Sequence, residues 1–254
     1  MKNVHSILIM FLSVMIGCGK NNQSANEIST VDVTAKYPYK ELILQDFMDV
    51  EYIPLETTDE FLCMGSLWGV GKDVIVATNF NSDGNIFIFD RKGKALKKIN
   101  RKGQGNEEYS SYSRIILDEE KREIFVNNSF AKKIQVYDLE GNFKRDLPIQ
   151  KELSLFEMYN FDKDNLICHD DFPRNTGQSF MLISKQDGSI TQEITIPFKE
   201  KKSIYVRVED KTVEGQYFVY SPQCKHPIMP YYNSYILTEY SADTLYQYLP
   251  DHTL

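Results

Sequence analysis

The chain has 254 residues, room for one large β domain or two smaller ones. Hydrophobic residues make up 42% and charged residues 26%, a globular balance, and the 16 Tyr and 15 Phe favour sheet positions. A formal net charge of −7 argues against a nucleic-acid partner, because phosphate binding needs a basic face; sugars, peptides, metals and proteins stay open.

The first stretch reads "MKNVHSILIMFLSVMIGCGK", with Lys2 ahead of an apolar run over 7–16 and then Gly17-Cys18. Residues 1–17 are predicted to be a signal peptide, too short to span a membrane comfortably as a mature helix. Its end resembles the lipobox of bacterial lipoproteins, with Met15 where that pattern prefers Leu. The resemblance implies that Cys18 is lipidated and becomes the first mature residue, leaving 254 − 17 = 237 residues. Acyl chains on one cysteine make a firm anchor. Residues 18–40 are polar and read as a flexible tether, and 41–254 as a β domain.

From residue 50 onward the pattern is strand, turn, strand. "DVEYIPLETT" (49–58) reads as a lone strand ahead of three similar units. These are "DVIVATN" with "NIFIFDRKGKALKKI", "REIFVNN" with "KIQVYDLEGNFKRDL", and "DNLICHD" with "SFMLISKQDGSITQEI". Their turn glycines are separated by 141 − 93 = 48 and 188 − 141 = 47 residues. A period in this range marks a propeller blade of four strands. Ile86 and Ile88 alternate with Phe87 and Phe89, so both sheet faces are apolar, as between two neighbouring blades. A looser fourth unit uses "GQYFVYS" (215–221) and "SYILTEYSADTLYQY" (234–248). The prediction is an all-β propeller with about four blades present, with strand 49–58 completing a blade from the other terminus.

Few stretches suggest chemistry. "RKGQGNEEY" (101–109) could be an anion nest with Arg101 and Lys102 as counter-charges. No helix follows, however, and Glu107 and Glu108 oppose an anion. The structural reading is a connector between blades, with Gly103 and Gly105 supplying unusual backbone angles and Tyr109 an anchor. "DEEKRE" (118–123) and "DKDN" (162–165) lack the EF-hand spacing and read as turns. In "CHDD" (168–171) a metal would need further ligands, such as Cys224 or His226; a strand end with solvated acids is the plainer reading. "SPQCKHPIMPYYNSY" (221–235) reads either as a blade insertion or as an aromatic loop for a sugar or peptide, with Lys225, His226, Tyr231 and Tyr232 as binding candidates. Cys63, Cys168 and Cys224 show no C-x-x-C spacing and read as buried free thiols. No nucleophile or zinc-protease motif occurs, so no catalytic residue, metal or cofactor is assigned.

Four pieces, "VEYIPLETTDEFL" (50–62), "IFIFDRKGKALKKINRKGQGNEEY" (86–109), "KIQVYDLEGNFKRDL" (133–147) and "ADTLYQY" (242–248), resemble the six-bladed β-propeller lipoproteins of Gram-negative gut anaerobes, similar in shape to NHL-repeat propellers. Where that family usually has KGQGPGEY, Asn106 and Glu107 replace Pro and Gly. The resemblance implies six blades, so the chain is read as a truncated member or as a smaller ring, with open sheet edges that tend to associate. The functional expectation is a non-catalytic binding or scaffolding module, lipid-anchored at the cell envelope, with the outer membrane favoured. Its partner would be a glycan, peptide or protein. The alternative is a propeller hydrolase or lyase with its site at the channel mouth, an analogy from fold alone.

Overall fold

The computed structural model describes residues 32–79, 83–170, 177–202, 206–209, 212, 215–220 and 226–254. The chain divides into two compact units, Met1–Glu51 and Tyr52–Leu254. In the first, Asp32 accepts hydrogen bonds from the backbone and hydroxyl of Thr34, and a single 3₁₀ turn spans Leu44–Asp46. Among the described residues no helix is long and apolar enough to cross a membrane.

The second unit is all β. Blade 1 contains β1 (Ser66–Val70), β2 (Val74–Thr78), β3 (Asn85–Asp90) and β4 (Ala95–Asn100). Blade 2 contains β5 (Arg114–Asp118), β6 (Glu123–Asn128), β7 (Lys133–Asp138) and β8 (Phe143–Pro148). Blade 3 contains β9 (Leu155–Asn160), β10 (Asn165–Asp170), β11 (Phe180–Ser184) and β12 (Ile190–Ile194). A hairpin of β13 (Val206–Glu209) and β14 (Tyr217–Tyr220) precedes blade 4, made of β15 (Ile228–Tyr231), β16 (Ser234–Thr238) and β17 (Leu245–Tyr248). Every sheet is an antiparallel meander in chain order, and β5 lies in contact with both β1 and β9, which makes these the innermost strands of a propeller.

The hairpin turns follow from their sequence. Asp90 Oδ1 accepts the N–H of Lys92 and Lys94 at 2.8 and 2.9 Å, and Asp138 Oδ1 those of Glu140 and Asn142 at 3.1 and 2.8 Å. A glycine then takes the left-handed position, with φ of 84° at Gly93 and 87° at Gly141.

Alternation along each strand sends successive side chains to opposite neighbours. Ile124, Val126 and Tyr137 pack with Val76 and Ile88 of blade 1, whereas Phe125, Ile134 and Val136 pack with Met158, Leu166 and Cys168 of blade 3. Ile167, Phe180 and Leu182 meet Ile228, Leu237 and Tyr248 of blade 4. The rear face of blade 1 (Ile75, Ala77, Phe87, Phe89) is covered by Ile53, Leu55, Phe61 and Cys63.

Polar clamps join the same faces. Glu119 reaches from blade 2 to the first turn of blade 1 and accepts the N–H groups of Lys72, Asp73 and Val74 at 2.5, 2.7 and 3.0 Å. Lys185, fully buried, donates to Asp118 at 2.6 Å across blades 2 and 3, and to the carbonyl of Asp162. Arg145 holds Glu123 through two bonds of 2.8 Å and also donates to the carbonyl of Lys185. The acidic stretches at 118–123 and 162–165 hold turns, as read from the sequence, and also carry inter-blade contacts.

Three expectations change. Residues 52–58 form no strand; they lie against blade 1 without pairing in any sheet. Residues 217–220 pair with β13 rather than opening the fourth blade. Part of the stretch read as a loop, 228–231, is instead the innermost strand of blade 4, because Ile228 is fully buried against blade 3. Its Pro230 is tolerated there because an innermost strand has a free edge.

Candidate functional site

The innermost strands of blades 1 to 3 and the chain entering blade 4 bring large polar or aromatic side chains to a common place. β1 provides Trp68, β5 Arg114, β9 Glu157 and Tyr159, and the approach to β15 provides His226. Arg114 Nη1 donates to Glu157 Oε1 at 3.2 Å and its Nε to the carbonyl of Met158 at 3.2 Å. The guanidinium also sits 4.4 Å from the ring centre of Tyr159 and 5.7 Å from that of Trp68. His226 Nδ1 stands 3.9 Å from Glu157 Oε1. Trp68 is itself pinned by a 2.8 Å bond from its indole N–H to Thr78 Oγ1.

The cluster is shielded but reachable: the side chains of Arg114 and Glu157 are 17% and 16% exposed and that of His226 66%. Burial pushes the Tyr159 phenol above its ordinary value, partly offset by the Arg114 charge. Burial raises Tyr112, two residues before β5, in the same way. One buried polar atom here lacks a hydrogen-bond partner among the described residues: Oδ1 of Asn127, which faces Arg114 across β5 and β6; the Tyr112 and Tyr159 hydroxyls lie instead beside Thr78 and Glu157. Buried polar atoms are rarely left unmatched, and a site prepared for solvent or ligand is one of the few reasons. Arg114 and Glu157 cancel in charge, so the chemistry offered is recognition of neutral donors and acceptors on an aromatic frame.

The sequence candidates are scattered around this cluster. Of the predicted binding residues, His226 joins it. Tyr231 is the last residue of β15 and Tyr232 lies in the turn after it, at the end of the strand away from His226. Their rings are edge to face at 4.8 Å and Tyr232 is 92% exposed. Lys225, Cys224 and Cys18 fall outside the described residues. In "CHDD", Cys168 is buried with its thiol pushed up by burial, His169 packs on Phe180 at 5.0 Å, and Asp170 accepts the N–H of Ser154 at 3.0 Å. Among the described residues no three His, Cys, Asp or Glu side chains gather as metal ligands.

The loop 101–109 holds an anion of its own. Gly105 N–H donates to Glu108 Oε2 at 2.8 Å, and a Cβ on Gly103 would fall 1.9 Å from the same oxygen. Neither glycine has positive φ, so the expected backbone reason fails and close approach of the carboxylate replaces it. Tyr109 is fully buried, and its hydroxyl donates to the Gly84 carbonyl at 2.6 Å and accepts the Arg101 N–H at 3.1 Å. Arg101 Nε in turn bonds the Gly141 carbonyl at 3.0 Å. Trp68, Arg114, Glu157 and Tyr159 escaped sequence reading because no motif links residues a whole blade apart. Their equivalent places on successive innermost strands were the available signal.

An all-β propeller with a polar, aromatic cluster on its innermost strands defines the class of this protein. Residues 28–254 match the family described as a domain of unknown function, DUF4934, and the chain belongs to that family. No curated protein matches. A solved structure from Bacteroides fragilis NCTC 9343, described as a putative exported protein, is similar at TM-score 0.55 and 14% identity, over 82% of this chain and 55% of that one. A DUF4221 family member from Bacteroides vulgatus is similar at TM-score 0.44 and 14% identity, over 78% and 60%. The chain thus spans somewhat over half the length of these solved structures.

Proposed function

We propose that this chain is a non-catalytic binding module of the cell envelope. In this reading it is exported, held by lipid on Cys18, and takes a glycan, peptide or protein partner at the mouth lined by Trp68, Arg114, Glu157, Tyr159 and His226. The carrying observation is that three innermost strands and the approach to a fourth place an aromatic and charge-balanced group around one point, beside a buried amide oxygen left unmatched among the described residues. Export is supported by the apolar leader and by the similar Bacteroides fragilis protein described as putatively exported. The outer membrane and kinship with six-bladed, NHL-like lipoproteins belong to the same reading. A hydrolase or lyase at this mouth is less well supported, because Glu157 is already bonded to Arg114. Gly103, Gly105 and Tyr109 serve as a connector between blades 1 and 2, and Tyr231 and Tyr232 as a separate exposed contact. Arrays of neutral glycans and of peptides, probed with the Cys18→Ser chain, test the proposal. Binding should be saturable and fall at least tenfold in Arg114→Leu; a turnover product from any bound glycan or peptide would reject it.

A further inference from the structure

A cavity of about 250 Å³ lies where blades 2 and 3 meet, and its walls include Ser129, Phe130, Lys132, Ile149, Leu153 and Leu155. None of the residues of the proposed mouth lines it. Two short turns build it. After β6, Ser129–Ala131 form a 3₁₀ turn that ends at Lys132, whose φ of 51° is left-handed. The Lys132 carbonyl accepts the N–H of Ile149 at 2.8 Å, and its Nζ donates to the carbonyl of Leu153 at 2.7 Å. Leu153 N–H donates in turn to the Gln150 carbonyl at 3.1 Å. These bonds tie the turn of blade 2 to the connection between β8 and β9. Ile149 and Leu155 belong to the core between the two blades, so the cavity is walled by apolar side chains. Phe130 stands beside them 87% exposed, and a large exposed apolar side chain at a cavity marks a contact surface.

The cavity borders the mouth. Asn127 Nδ2 donates to the carbonyl of Leu155 at 2.6 Å, and Asn127 sits opposite Arg114 in the ladder of β5 and β6. Two residues beyond Leu155 on β9 is Glu157, the partner of Arg114. The buried Asn127 thus touches both places, and its Oδ1 is the acceptor left unmatched among the described residues. Lys132 supplies the opposite polarity, since an ammonium has three donor hydrogens and the Leu153 carbonyl takes one. A peptide unit, with one N–H donor and one C=O acceptor, complements that pair. The cavity is smaller than the roughly 300–1,000 Å³ of sites that enclose a whole small molecule, and suits one large side chain. A sugar would bury hydroxyls without partners against Ile149, Leu153 and Leu155.

We propose that the partner taken at the mouth is a peptide, and that one large aliphatic or aromatic side chain of it seats in the cavity between Phe130 and Leu153. This rests on the mouth being a binding site, and adds the class of partner and the residue it selects. An apolar anchor in a pocket, with polar groups beside it to hold the main chain, is how peptide recognition commonly divides affinity and register.

Titrating the Cys18→Ser chain with the N-acetyl amides of leucine, phenylalanine and alanine tests the cavity directly, read by methyl NMR of Ile149, Leu153 and Leu155. The leucine or phenylalanine amide should shift these methyls saturably, at least tenfold more tightly than the alanine amide. Ser129→Trp, which fills the cavity, should abolish the shift. Phe130→Ala, at an exposed position, should weaken it severalfold with an unchanged melt. Peptides bound on arrays should share a large apolar residue at one position, and Ala there should lower affinity at least tenfold. No methyl shift with any amide, or equal affinity for the leucine and alanine amides, would overturn the proposal. So would a glycan whose binding falls in Arg114→Leu but not in Ser129→Trp; the mouth would then stand without the peptide anchor. Array peptides that lose affinity in Ser129→Trp but not in Arg114→Leu would instead keep the cavity as a peptide site and remove the mouth.

Discussion

Three glycine-to-alanine substitutions separate backbone strain from lost space, and with them the structural role of residues 52–56. Gly65 has φ of 81° and nothing within 4 Å of a new Cβ, so Gly65→Ala meets only the left-handed backbone cost of about 1 kcal/mol. Gly103 has ordinary φ, but a Cβ there displaces the Glu108 carboxylate from Gly105 N–H, a charge-assisted bond worth about 1.5–3 kcal/mol when shielded and less at this exposed loop. Gly93 combines both costs. Its φ is 84°, and the clash is with the rigid carbonyl of Pro54, 2.0 Å from the new Cβ. Relief requires moving the 53–56 segment, which breaks the 2.7 Å bond from Glu56 N–H to the Gly93 carbonyl and uncovers part of Phe87 and Phe89. Lifting Ile53 and Leu55, both half-buried, adds about 1–3 kcal/mol at roughly 25 cal/mol per Å². The total for Gly93→Ala is about 3–5 kcal/mol, or roughly 6–20 °C in melting temperature for a domain of this size, against about 2–4 °C for Gly65→Ala. Calorimetric melts of the Cys18→Ser chain and its variants measure the difference. A Gly93→Ala melt within about 1 °C of Gly65→Ala would refute the reasoning, because residues 53–56 would then be dispensable to blade 1.

Other expectations concern charge. Lys185→Met strands Asp118 in the core and should cost about 3–5 kcal/mol, whereas adding Asp118→Leu should recover most of it; equal melts for the single and double variants would contradict this. Burial alone would raise Glu239, but bonds from Lys201, the Ser241 N–H and Ser179 outweigh it and hold the carboxyl below its usual value of 4.5. A lowered folded value gives stability that is complete above the unfolded value and is lost as pH falls through the folded one, so Glu239→Gln should flatten the acid side of the melting profile below about pH 4.5. A profile as steep as the parent's would argue against it. Cys18→Ser should move the protein from the membrane pellet to the soluble fraction; retention in the pellet would exclude the lipid anchor.

How much was legible in the sequence varies with the range of the interaction. The hairpins of blades 1 to 3 are local: Asp90 and Asp138 cap their own turns within four residues, so spacing alone located them. Blade 4 was read one strand out of register because the stretch holding β15 carries Pro227 and Pro230, which look like loop. Burial of Ile228 against blade 3, invisible in the sequence, overrides that signal. Residues 52–58 show strand alternation, but a ladder needs a neighbour, and none pairs with them among the described residues. The binding cluster was illegible for a similar reason. Arg114 and Glu157 stand 157 − 114 = 43 residues apart and meet only because successive innermost strands are parallel around one axis.

Trp68, the one tryptophan of the chain, lies in that cluster, so its fluorescence reports on the proposed mouth directly. The decisive measurement is a titration of the Cys18→Ser chain with whichever glycan or peptide binds on the arrays, followed by tryptophan emission. The expected result is a saturable change in Trp68 emission whose midpoint matches the binding curve, shifted at least tenfold in Arg114→Leu at an unchanged melting temperature. Saturable binding with no change in Trp68 emission, and with the same affinity in Arg114→Leu, would place recognition elsewhere and contradict the proposed site.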